Sequence, residues 1–409
     1  LNDLTVRIEQ AIYNFDFSRF YPKFLDDVHD TQDKKGTITC VAPFLFGARP
    51  ADPVSASYLL LAQKCYEFYG NKRIISDHFE GMKAWVDYLY SRTSNGIVDY
   101  SYYGDWCPPR DFLMDPNGSG VSRDTPGQLM STGYLYYCAL LLADMAEVIG
   151  REKDAIHYKQ LSQEIYTAFN REYWNEEAGG YASNNQASNS FALYLGLADE
   201  NKAPRVLSNL VNDVKKRDYL TTGNLCTKYL LEVLTENGYA EVAYKIATQT
   251  TYPSWGFMLA NGATTLWERW EYLTGDAMNS HNHPMMGSVG SWFYKYVLGI
   301  VPNFSYPGFE QFTIKPYLMK DLTFAEGELD TVKGTIQVSY RKQGNRFVLD
   351  VTVPANSTAL LYIPARNAKS VTENGKNISS INEISFMKEE NGYVVLKVGS
   401  GDYQFNSRI

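Results

Sequence analysis

The hydrophobic pattern changes its period near residue 301, and this change restricts the fold more than any other feature of the sequence. Before it, apolar residues recur every three to four positions, which is typical of amphipathic helices. After it, apolar and polar residues alternate, as they do in half-buried strands. The sequence therefore predicts a helical domain over residues 1–302 and a β domain over residues 303–409, with Asn303–Gly308 as the linker.

The first domain is predicted to contain about twelve helices. They are expected at Asp3–Asn14, Phe17–Asp30, Pro53–Tyr69, Ile74–Tyr90, Gly127–Ile149, Arg151–Phe169, Asn184–Leu197, Pro204–Val214, Gly223–Thr235, Tyr239–Thr248, near Trp267, and at Met286–Gly299. So many amphipathic helices joined by short loops need a closed arrangement to bury every apolar stripe. The pattern therefore predicts an (α/α)6 toroid, a ring of six helical hairpins.

The second domain is predicted to contain about eight short strands. They lie in QFTIKP, LTFAEGELD, GTIQVSYRK, RFVLDVTV, TALLYI, EISF, YVVLKV and DYQF, separated by turn signals such as KQGN and ENGK. This spacing predicts a C-terminal antiparallel β-sandwich.

Composition narrows the possible partners. The chain has 38 Lys+Arg against 46 Asp+Glu, a formal charge of −8, and no basic cluster that would neutralise phosphates, so nucleic acid is not expected. No long apolar stretch predicts a membrane span. The five cysteines are scattered without a CxxC pair, which predicts buried thiols in place of disulfides or a zinc site; they are Cys40, Cys65, Cys107, Cys138 and Cys226.

Two long segments in the helical half show no helical pattern and are predicted to be loops, Gly36–Asp52 and Gly96–Thr125. Long loops inside a compact domain are usually functional. The second contains YGDWCPPRD, in which Asp105 either caps the following segment or accepts hydrogen bonds from sugar hydroxyls beside Trp106. The cost of ordering so long a loop favours the sugar contact. In the first, FGARPADP, Arg49 and Asp52 either form an ion pair or line a site, and Pro53 is expected to open the next helix.

Residues 262–271, GATTLWERWE, concentrate charge between indoles. One interpretation is an exposed Glu–Arg pair over a structural Trp. The other is a sugar site, since carboxylates move protons and bind hydroxyls while indoles stack on a pyranose face. A second carboxylate, a second Trp and the nearby SHNHP segment favour the sugar site. A helix would place Trp267, Trp270 and Glu271 on one face, and a strand would pair Glu268 with Trp270.

Metal and cofactor motifs are not found. His281 and His283 lack a third ligand at metal spacing. Nothing matches G-x-S-x-G, a P-loop or a Rossmann fingerprint, so no cofactor is expected.

Taken in order, GATTLWERWE, SHNHPMMGSVGSWFYKYVLGI, KAWVDYL, YGDW and NFD…F…DVHDTQ resemble the α-L-rhamnosidases of glycoside hydrolase family 78 from about Asp3 to the C-terminus. The resemblance implies the toroid and the β-sandwich, and an inverting hydrolase of terminal α-L-rhamnosides. It implies that Glu268 is the general base, that Asp105 and Trp106 form a sugar-contact loop, and that His283 faces the same site.

The resemblance also implies roles for other residues and marks two departures. Trp267 or Trp270 would line one side of the sugar site, and Glu271 would bind a sugar hydroxyl or Arg269. The family's acid motif ends in an Asp that the register places at Asp3, so the general acid is expected before residue 1 and the chain is expected to be part of a longer protein. Many relatives carry Gly-Trp-x-Asp where this chain keeps only Asp52, so Arg49 is expected to replace the Trp.

Three functions are left open by these residues. The leading one is a rhamnoside hydrolase; the others are a sugar-binding or vestigial module and another toroidal carbohydrate enzyme, such as a uronate lyase. A lyase should gather Lys, Arg and Tyr around an anionic substrate, and the sequence shows no such cluster. The aglycone, the compartment and the oligomeric state are not predicted.

Overall fold

The computed structural model describes residues 1–115, 119–275 and 278–409. Its contacts divide the chain into two compact units. Unit 1 comprises Leu1–Gln10, Arg19–Gln63 and Lys72–Val289, and unit 2 comprises Ala11–Ser18, Lys64–Asn71 and Gly290–Ile409. Residues 116–118 of the predicted loop Gly96–Thr125 lie outside the described residues.

Helices dominate the chain as far as residue 298. They are α1 (Asn2–Thr5), α2 (Ile8–Asn14), α3 (Phe20–Asp30), α4 (Ser57–Tyr69), α5 (Lys72–Ser91), α6 (Gly127–Val148), α7 (Glu152–Tyr173), α8 (Gln186–Tyr194), α9 (Ala203–Arg217), α10 (Asn224–Glu236), α11 (Ala240–Thr248), α12 (Trp255–Ala260), α13 (Val289–Trp292) and a π-helix at Phe293–Leu298. Neighbours along the chain pack as hairpins, such as α6 with α7 and α8 with α9. The predicted six-hairpin helical domain is confirmed.

Local sequence explains where several helices begin and which face they bury. The Asn185 side chain accepts the N–H of Ser188 at the start of α8, and the Ser254 side chain caps α12 in the same way. On α9 the buried residues recur at helical spacing and leave the opposite face to solvent; they are Val206, Leu210, Val211 and Val214.

Four helix predictions need correction. The described residues 261–275 around Trp267 form no helix and are irregular, and α12 lies instead at Trp255–Ala260. The predicted helix Asp3–Asn14 is broken after Thr5. Pro53 does not open a helix, because Asp52 turns the chain there by accepting the N–H of Val54 and α4 begins only at Ser57. The predicted helix Met286–Gly299 is split into α13, the π-helix and a 3-10 turn at Pro284–Met286.

The strands include four short ones in the helical half, which form the hairpins β1 (Thr93–Ser94) with β2 (Ile97–Val98), and β3 (Trp174–Asn175) with β4 (Gly180–Tyr181). The others are β5 (Ile300–Pro302), β6 (Gln311–Ile314), β7 (Phe324–Thr331), β8 (Gly334–Gln343), β9 (Arg346–Val353), β10 (Thr358–Pro364), β11 (Thr372–Glu373), β12 (Lys376–Asn377), β13 (Ile384–Glu390), β14 (Tyr393–Val398) and β15 (Gly401–Arg408). All eight predicted strand segments contain strands.

Unit 2 contains, among the described residues, a five-stranded sheet in the order β13-β14-β10-β6-β5 and a six-stranded sheet in the order β12-β11-β15-β9-β8-β7. Along β9 the side chains alternate between buried and more exposed, so that Phe347, Leu349, Val351 and Val353 face the core. The predicted antiparallel β domain is confirmed, with one parallel pair, β10 with β6.

The division by contacts differs from the predicted boundary after residue 302. Ile300–Pro302 forms β5 and pairs with β6, so these residues belong to the sheet of unit 2. A strand of three residues is too short to be detected as a change of period. Within the described residues, no helix is both long enough and apolar enough to cross a membrane.

Candidate active site

The WERWE segment is held by residues 280–283 and not by a regular helix. The backbone N–H of Glu268 donates to the carbonyl of Ser280 (3.0 Å), and the N–H of His283 donates to the carbonyl of Leu266 (2.9 Å). The Thr265 hydroxyl adds a bond to the His281 carbonyl (2.7 Å). This pairing places the SHNHP segment directly beside Glu268, as the sequence predicted from their closeness along the chain.

Glu268 has a partly exposed side chain that can meet a substrate. Its Oε1 accepts a hydrogen bond from Asn279 Nδ2 at 3.1 Å. Asn279 adopts a left-handed backbone conformation (φ 64°), which Asn tolerates better than most residues and which turns the chain toward Ser280. The carboxylate is thus oriented by one amide and keeps its exposure.

The side chains of Asp3 and His283 lie close together near the WERWE segment. Nε2 of His283 lies 3.7 Å from an Asp3 carboxylate oxygen, and both side chains are partly exposed. The buried Nδ1 of His283 has no hydrogen-bond partner among the described residues. The pair therefore offers a carboxylate acceptor and an imidazole, both suited to hydroxyl groups.

The buried thiol of Cys107 lies within electrostatic range of both Asp3 and the WERWE segment. Burial raises its pKa; the charge of Arg269 lowers it, while the charges of Glu268, Glu271 and Asp3 raise it further. The four charged groups therefore lie within electrostatic range of one sulfur atom. Asp3, Glu268 and the start of the 107–110 segment consequently lie in one region of unit 1.

Trp106 lies on the loop that precedes Cys107 and is partly exposed. Its ring packs edge to face against Tyr103, with the centroids 5.4 Å apart, and its carbonyl accepts the N–H of Asn224 (2.8 Å). Tyr103 also lines a cavity of about 450 Å³ beside the loop. Of the three tryptophans predicted on these two motifs, Trp106 has the exposure that stacking on a sugar requires.

Asp105 is fully buried, and both of its oxygens accept backbone N–H groups. Gly223 donates at 2.7 Å and Cys226 at 3.0 Å, at the start of α10. Burial raises the pKa of Asp105 to about 6, although these hydrogen bonds act to lower it. The carboxylate anchors the loop on the helix, so the expected hydroxyl contact is not supported, and the capping alternative describes it better, though the helix it caps is α10.

Asp52 is also fully buried and fills a similar role. Its oxygens accept the backbone N–H groups of Val54 (3.0 Å), Tyr102 (2.5 Å) and Tyr103 (2.8 Å). Burial raises its pKa, against the effect of these hydrogen bonds. Asp52 therefore ties the end of the loop Gly36–Asp52 to the chain just before Gly104, and a direct sugar contact is not supported.

Arg49 does not pair with Asp52. Its guanidinium lies over the ring of Phe44, 5.5 Å from the centroid, and 3.8 Å from a carboxylate oxygen of Asp33. The ion pair of Arg49 with Asp52, one of the two interpretations of this segment, does not form, because Asp52 accepts hydrogen bonds from the backbone amides of Val54, Tyr102 and Tyr103. Arg49 stabilises the loop tip that contains Phe44.

The two tryptophans of WERWE are buried and pack against other aromatic rings. Trp270 is 0% exposed, donates from Nε1 to the Thr222 carbonyl (3.2 Å) and packs edge to face on Trp255. Trp267 is 3% exposed and stacks on Tyr272. Neither has the free face that a wall for the sugar would need, so that expectation is not supported.

Glu271 is buried too, and its Oε1 accepts the N–H of Arg110 (2.6 Å) and the hydroxyl of Tyr252 (2.6 Å). It links WERWE to the 107–110 segment. Sequence reasoning missed Asn279, Tyr103 and Tyr252, and it missed the exposed Tyr272. The Tyr-rich run before Gly104 was the one signal available for Tyr103; the others depend on contacts between distant segments.

All five cysteines lie in the described part of the chain and are buried free thiols. Across residues 1–115, 119–275 and 278–409, no group of three or more His, Cys, Asp or Glu side chains is arranged to hold a metal ion.

Two family models and several known proteins are similar to this chain. The model of the bacterial α-L-rhamnosidase six-hairpin glycosidase domain matches residues 1–297, and that of the bacterial α-L-rhamnosidase C-terminal domain matches residues 299–377. An α-L-rhamnosidase of Streptomyces avermitilis is 31% identical over 98% of this chain and 38% of its own length. The chain thus spans well under half of that relative.

Solved structures of α-L-rhamnosidases are similar in fold to this chain. An α-L-rhamnosidase from Dictyoglumus thermophilum is similar with a TM-score of 0.92 and 38% identity, over 100% of this chain and 45% of its own. The Streptomyces avermitilis α-L-rhamnosidase complexed with L-rhamnose has a TM-score of 0.86 and 29% identity, over 99% of this chain and 38% of its own.

Proposed function

Since this chain belongs to the bacterial α-L-rhamnosidase six-hairpin glycosidase family, we propose that its protein is a glycoside hydrolase that releases terminal α-L-rhamnose with inversion. The observation that carries the proposal is the position of Glu268, a partly exposed carboxylate oriented by Asn279 and close to Asp3 and His283. The substrate class rests on the names of the relatives, which are α-L-rhamnosidases.

Glu268 acts as the general base in this proposal. A water molecule gives a proton to the carboxylate while its oxygen attacks the anomeric carbon from the face opposite the leaving group. The bond from that carbon to the aglycone oxygen breaks, and a general acid protonates that oxygen. The α-linked sugar is released as the β anomer, and one water is consumed for each bond cleaved.

Asp3, His283 and Trp106 bind the sugar. The Asp3 carboxylate accepts hydrogen bonds from sugar hydroxyls, and the His283 imidazole accepts or donates them. Both side chains are partly exposed, and His283 Nε2 lies 3.7 Å from an Asp3 carboxylate oxygen. Trp106 covers an apolar face of the ring, since its indole is partly exposed and fixed by Tyr103. This assignment leaves out the predicted binding residues that are buried, which are Asp52, Asp105, Trp267, Trp270 and Glu271.

The other predicted residues position the site. Asp105 and Asp52 hold the loop that carries Trp106, and Glu271 joins that loop to WERWE. Trp267 and Trp270 hold the WERWE segment in place because their side chains are buried in the protein. Arg49 supports the tip of the loop Gly36–Asp52 through Phe44.

The general acid in this proposal is supplied by residues that precede Leu1 in the full-length protein. The resemblance to the family implies an acid motif before Asp3, and the lengths of the relatives, more than twice those of their matched segments, support this proposal. Inversion needs two carboxyl groups about 6.5–9.5 Å apart, with room for the water between them. The sequence immediately upstream should therefore contain an Arg-x-Glu motif.

The proposal is tested on the full-length protein with 4-nitrophenyl α-L-rhamnoside and, as a matched control, 4-nitrophenyl β-D-glucoside. We expect hydrolysis of the rhamnoside alone. Proton NMR during the first turnovers should show β-L-rhamnose before mutarotation produces the α anomer. Initial formation of α-L-rhamnose would contradict inversion, and failure to hydrolyse the rhamnoside would contradict the assigned activity.

A further inference from the structure

Three consecutive apolar residues are exposed at the tip of the loop Gly36–Asp52. Phe44 is 46% exposed, Leu45 81% and Phe46 71%. A run of three exposed apolar side chains is unfavourable in water and is unusual unless it has a function. The tip lies within unit 1, as does the candidate active site.

Hydrogen bonds at the base of the loop give it a defined conformation. The N–H of Cys40 donates to the Ala48 carbonyl (3.1 Å), the N–H of Ala48 reaches Cys40 Sγ (2.9 Å), and the N–H of Ala51 donates to the Ile38 carbonyl (2.8 Å). Gly47 has φ 94°, and a Cβ there would lie 2.3 Å from Cys40 Sγ. These contacts hold residues 41–47 as a projecting turn.

The base of the same loop contacts the chain before the Trp106 loop and the chain before Asp3. Asp52 accepts the N–H groups of Tyr102 and Tyr103, and the Tyr103 ring packs on Trp106. The carbonyl of Cys40 lies 2.6 Å from the backbone nitrogen of Leu1, two residues before Asp3. The base of the loop is consequently held between the Trp106 loop and the segment that carries Asp3, and the tip projects from that base.

We propose that Phe44, Leu45 and Phe46 bind the leaving group of the substrate and select an aromatic aglycone. This inference rests on the proposed function, because an aglycone exists only if the site cleaves a glycoside. Flat apolar rings gain from burial against Phe and Leu side chains, and aromatic pairs gain further from their geometry. Arg49 stacked behind Phe44 keeps that ring in place.

A saccharide leaving group would fit this surface less well. Its hydroxyls need hydrogen-bond partners when they are removed from water. The three tip side chains provide none. The surface therefore discriminates between an aryl or flavonoid rhamnoside and a rhamnosyl saccharide, although the rhamnose bound by Asp3, His283 and Trp106 is the same in both.

The experiment compares two substrates, a flavonol 3-O-α-L-rhamnoside and the disaccharide α-L-rhamnosyl-(1→2)-glucose, with the full-length protein. The variants are Leu45→Ser and Phe46→Ser. Ile156→Ser is the matched control, since Ile156 is 60% exposed on α7. We expect both tip variants to lower the ratio of kcat/KM for the flavonol rhamnoside to that for the disaccharide by about three- to tenfold, chiefly through KM. Ile156→Ser should leave the ratio unchanged.

An unchanged ratio in both tip variants would overturn the inference while the proposed function stands. An altered oligomeric mass with an unchanged ratio would overturn it as well and would assign the tip to a contact between subunits. If the wild-type protein hydrolyses 4-nitrophenyl α-L-rhamnoside but neither of these two substrates, the inference fails and the proposed function stands; if it hydrolyses none of the three, both fail.

Discussion

At the scale of single residues, accessibility separates the carboxylates that can act on a substrate from those that hold the backbone. Glu268 and Asp3 are partly exposed, whereas Asp52 and Asp105 are fully buried and satisfied by backbone N–H groups. An Asp beside a Trp in a loop looks the same in sequence in either role. The residue types predicted Glu268 as a catalytic candidate, which stays a prediction, but they could not predict the role of Asp105, because its backbone partners lie more than a hundred residues away along the chain.

Asp105 should give the stability of the protein a measurable pH dependence. Its pKa is raised from 3.8 to about 6 by burial, so the folded state binds more protons than the unfolded state between these values. The contribution of this group is therefore fully present below about pH 4 and is lost as the pH rises through about 6, by roughly 3 kcal/mol in total.

The measurement is urea unfolding of the wild type and Asp105→Asn between pH 4 and pH 7. We expect the free energy of unfolding of the wild type, relative to the variant, to fall over this range. A difference that rises with pH would show that the hydrogen bonds from Gly223 and Cys226 outweigh burial, and would contradict the raised pKa.

At the scale of elements, the site depends on irregular segments that are fixed by regular ones. The period of the sequence predicted most helices and all eight strand segments, because amphipathic faces are determined locally. It did not predict the conformation of residues 264–271, which is neither helix nor strand. That conformation comes from pairing with residues 280–283 and from the buried Trp270, and neither contact is encoded in a local pattern.

The start of α10 is the support on which the Trp106 loop rests. Gly223 approaches that loop so closely that a Cβ would lie 2.3 Å from the Trp106 carbonyl oxygen and 2.6 Å from that of Asp105. Backbone atoms cannot move aside as a side chain can. Gly223→Ala should therefore displace Trp106, lower the free energy of unfolding by about 1–3 kcal/mol and reduce hydrolysis of an aryl rhamnoside at least tenfold.

Gly399→Ala is the matched control, since a Cβ at Gly399 would have no neighbour within 4 Å. It should change neither quantity appreciably. Thermal unfolding and steady-state kinetics of the two variants provide the comparison. Wild-type activity in Gly223→Ala would mean that the position of the Trp106 loop does not matter for catalysis.

At the scale of the whole molecule, unit 1 contains a buried charge cluster that the sequence did not reveal. Nζ of Lys228 lies 2.8 Å from Glu9 and also pairs with Glu232, and the three residues are 5%, 8% and 1% exposed. Burial alone would lower the pKa of Lys228, but the charges of Glu232 and Glu9 raise it above its usual value. The cluster connects α2 with α10, the helix on which the Trp106 loop rests.

Lys228→Met should destabilise the protein by about 3–5 kcal/mol, because it leaves two carboxylates buried without their cation. Lys245→Met is the control: Lys245 pairs with Asp218 at 2.5 Å, but both side chains are more than half exposed. That exposed pair should contribute less than about 1 kcal/mol. Chemical unfolding of both variants measures the difference, and equal losses would show that the buried cluster is no more stabilising than a surface pair.

The activity proposed for the whole protein depends on Glu268 as the base of a rhamnoside hydrolase. The direct measurement is kcat on 4-nitrophenyl α-L-rhamnoside for the full-length wild type, Glu268→Gln and, as a matched control, Glu164→Gln, an exposed carboxylate that bonds to Tyr90. We predict a loss of about 10²–10⁴-fold in Glu268→Gln and no loss in the control.

Added azide distinguishes a missing base from a disturbed fold in the same assay. Azide attacks the anomeric carbon without giving up a proton, so it should restore turnover in Glu268→Gln and yield β-L-rhamnosyl azide. Hydrolysis by Glu268→Gln at the wild-type rate would contradict the assignment of Glu268 as the base.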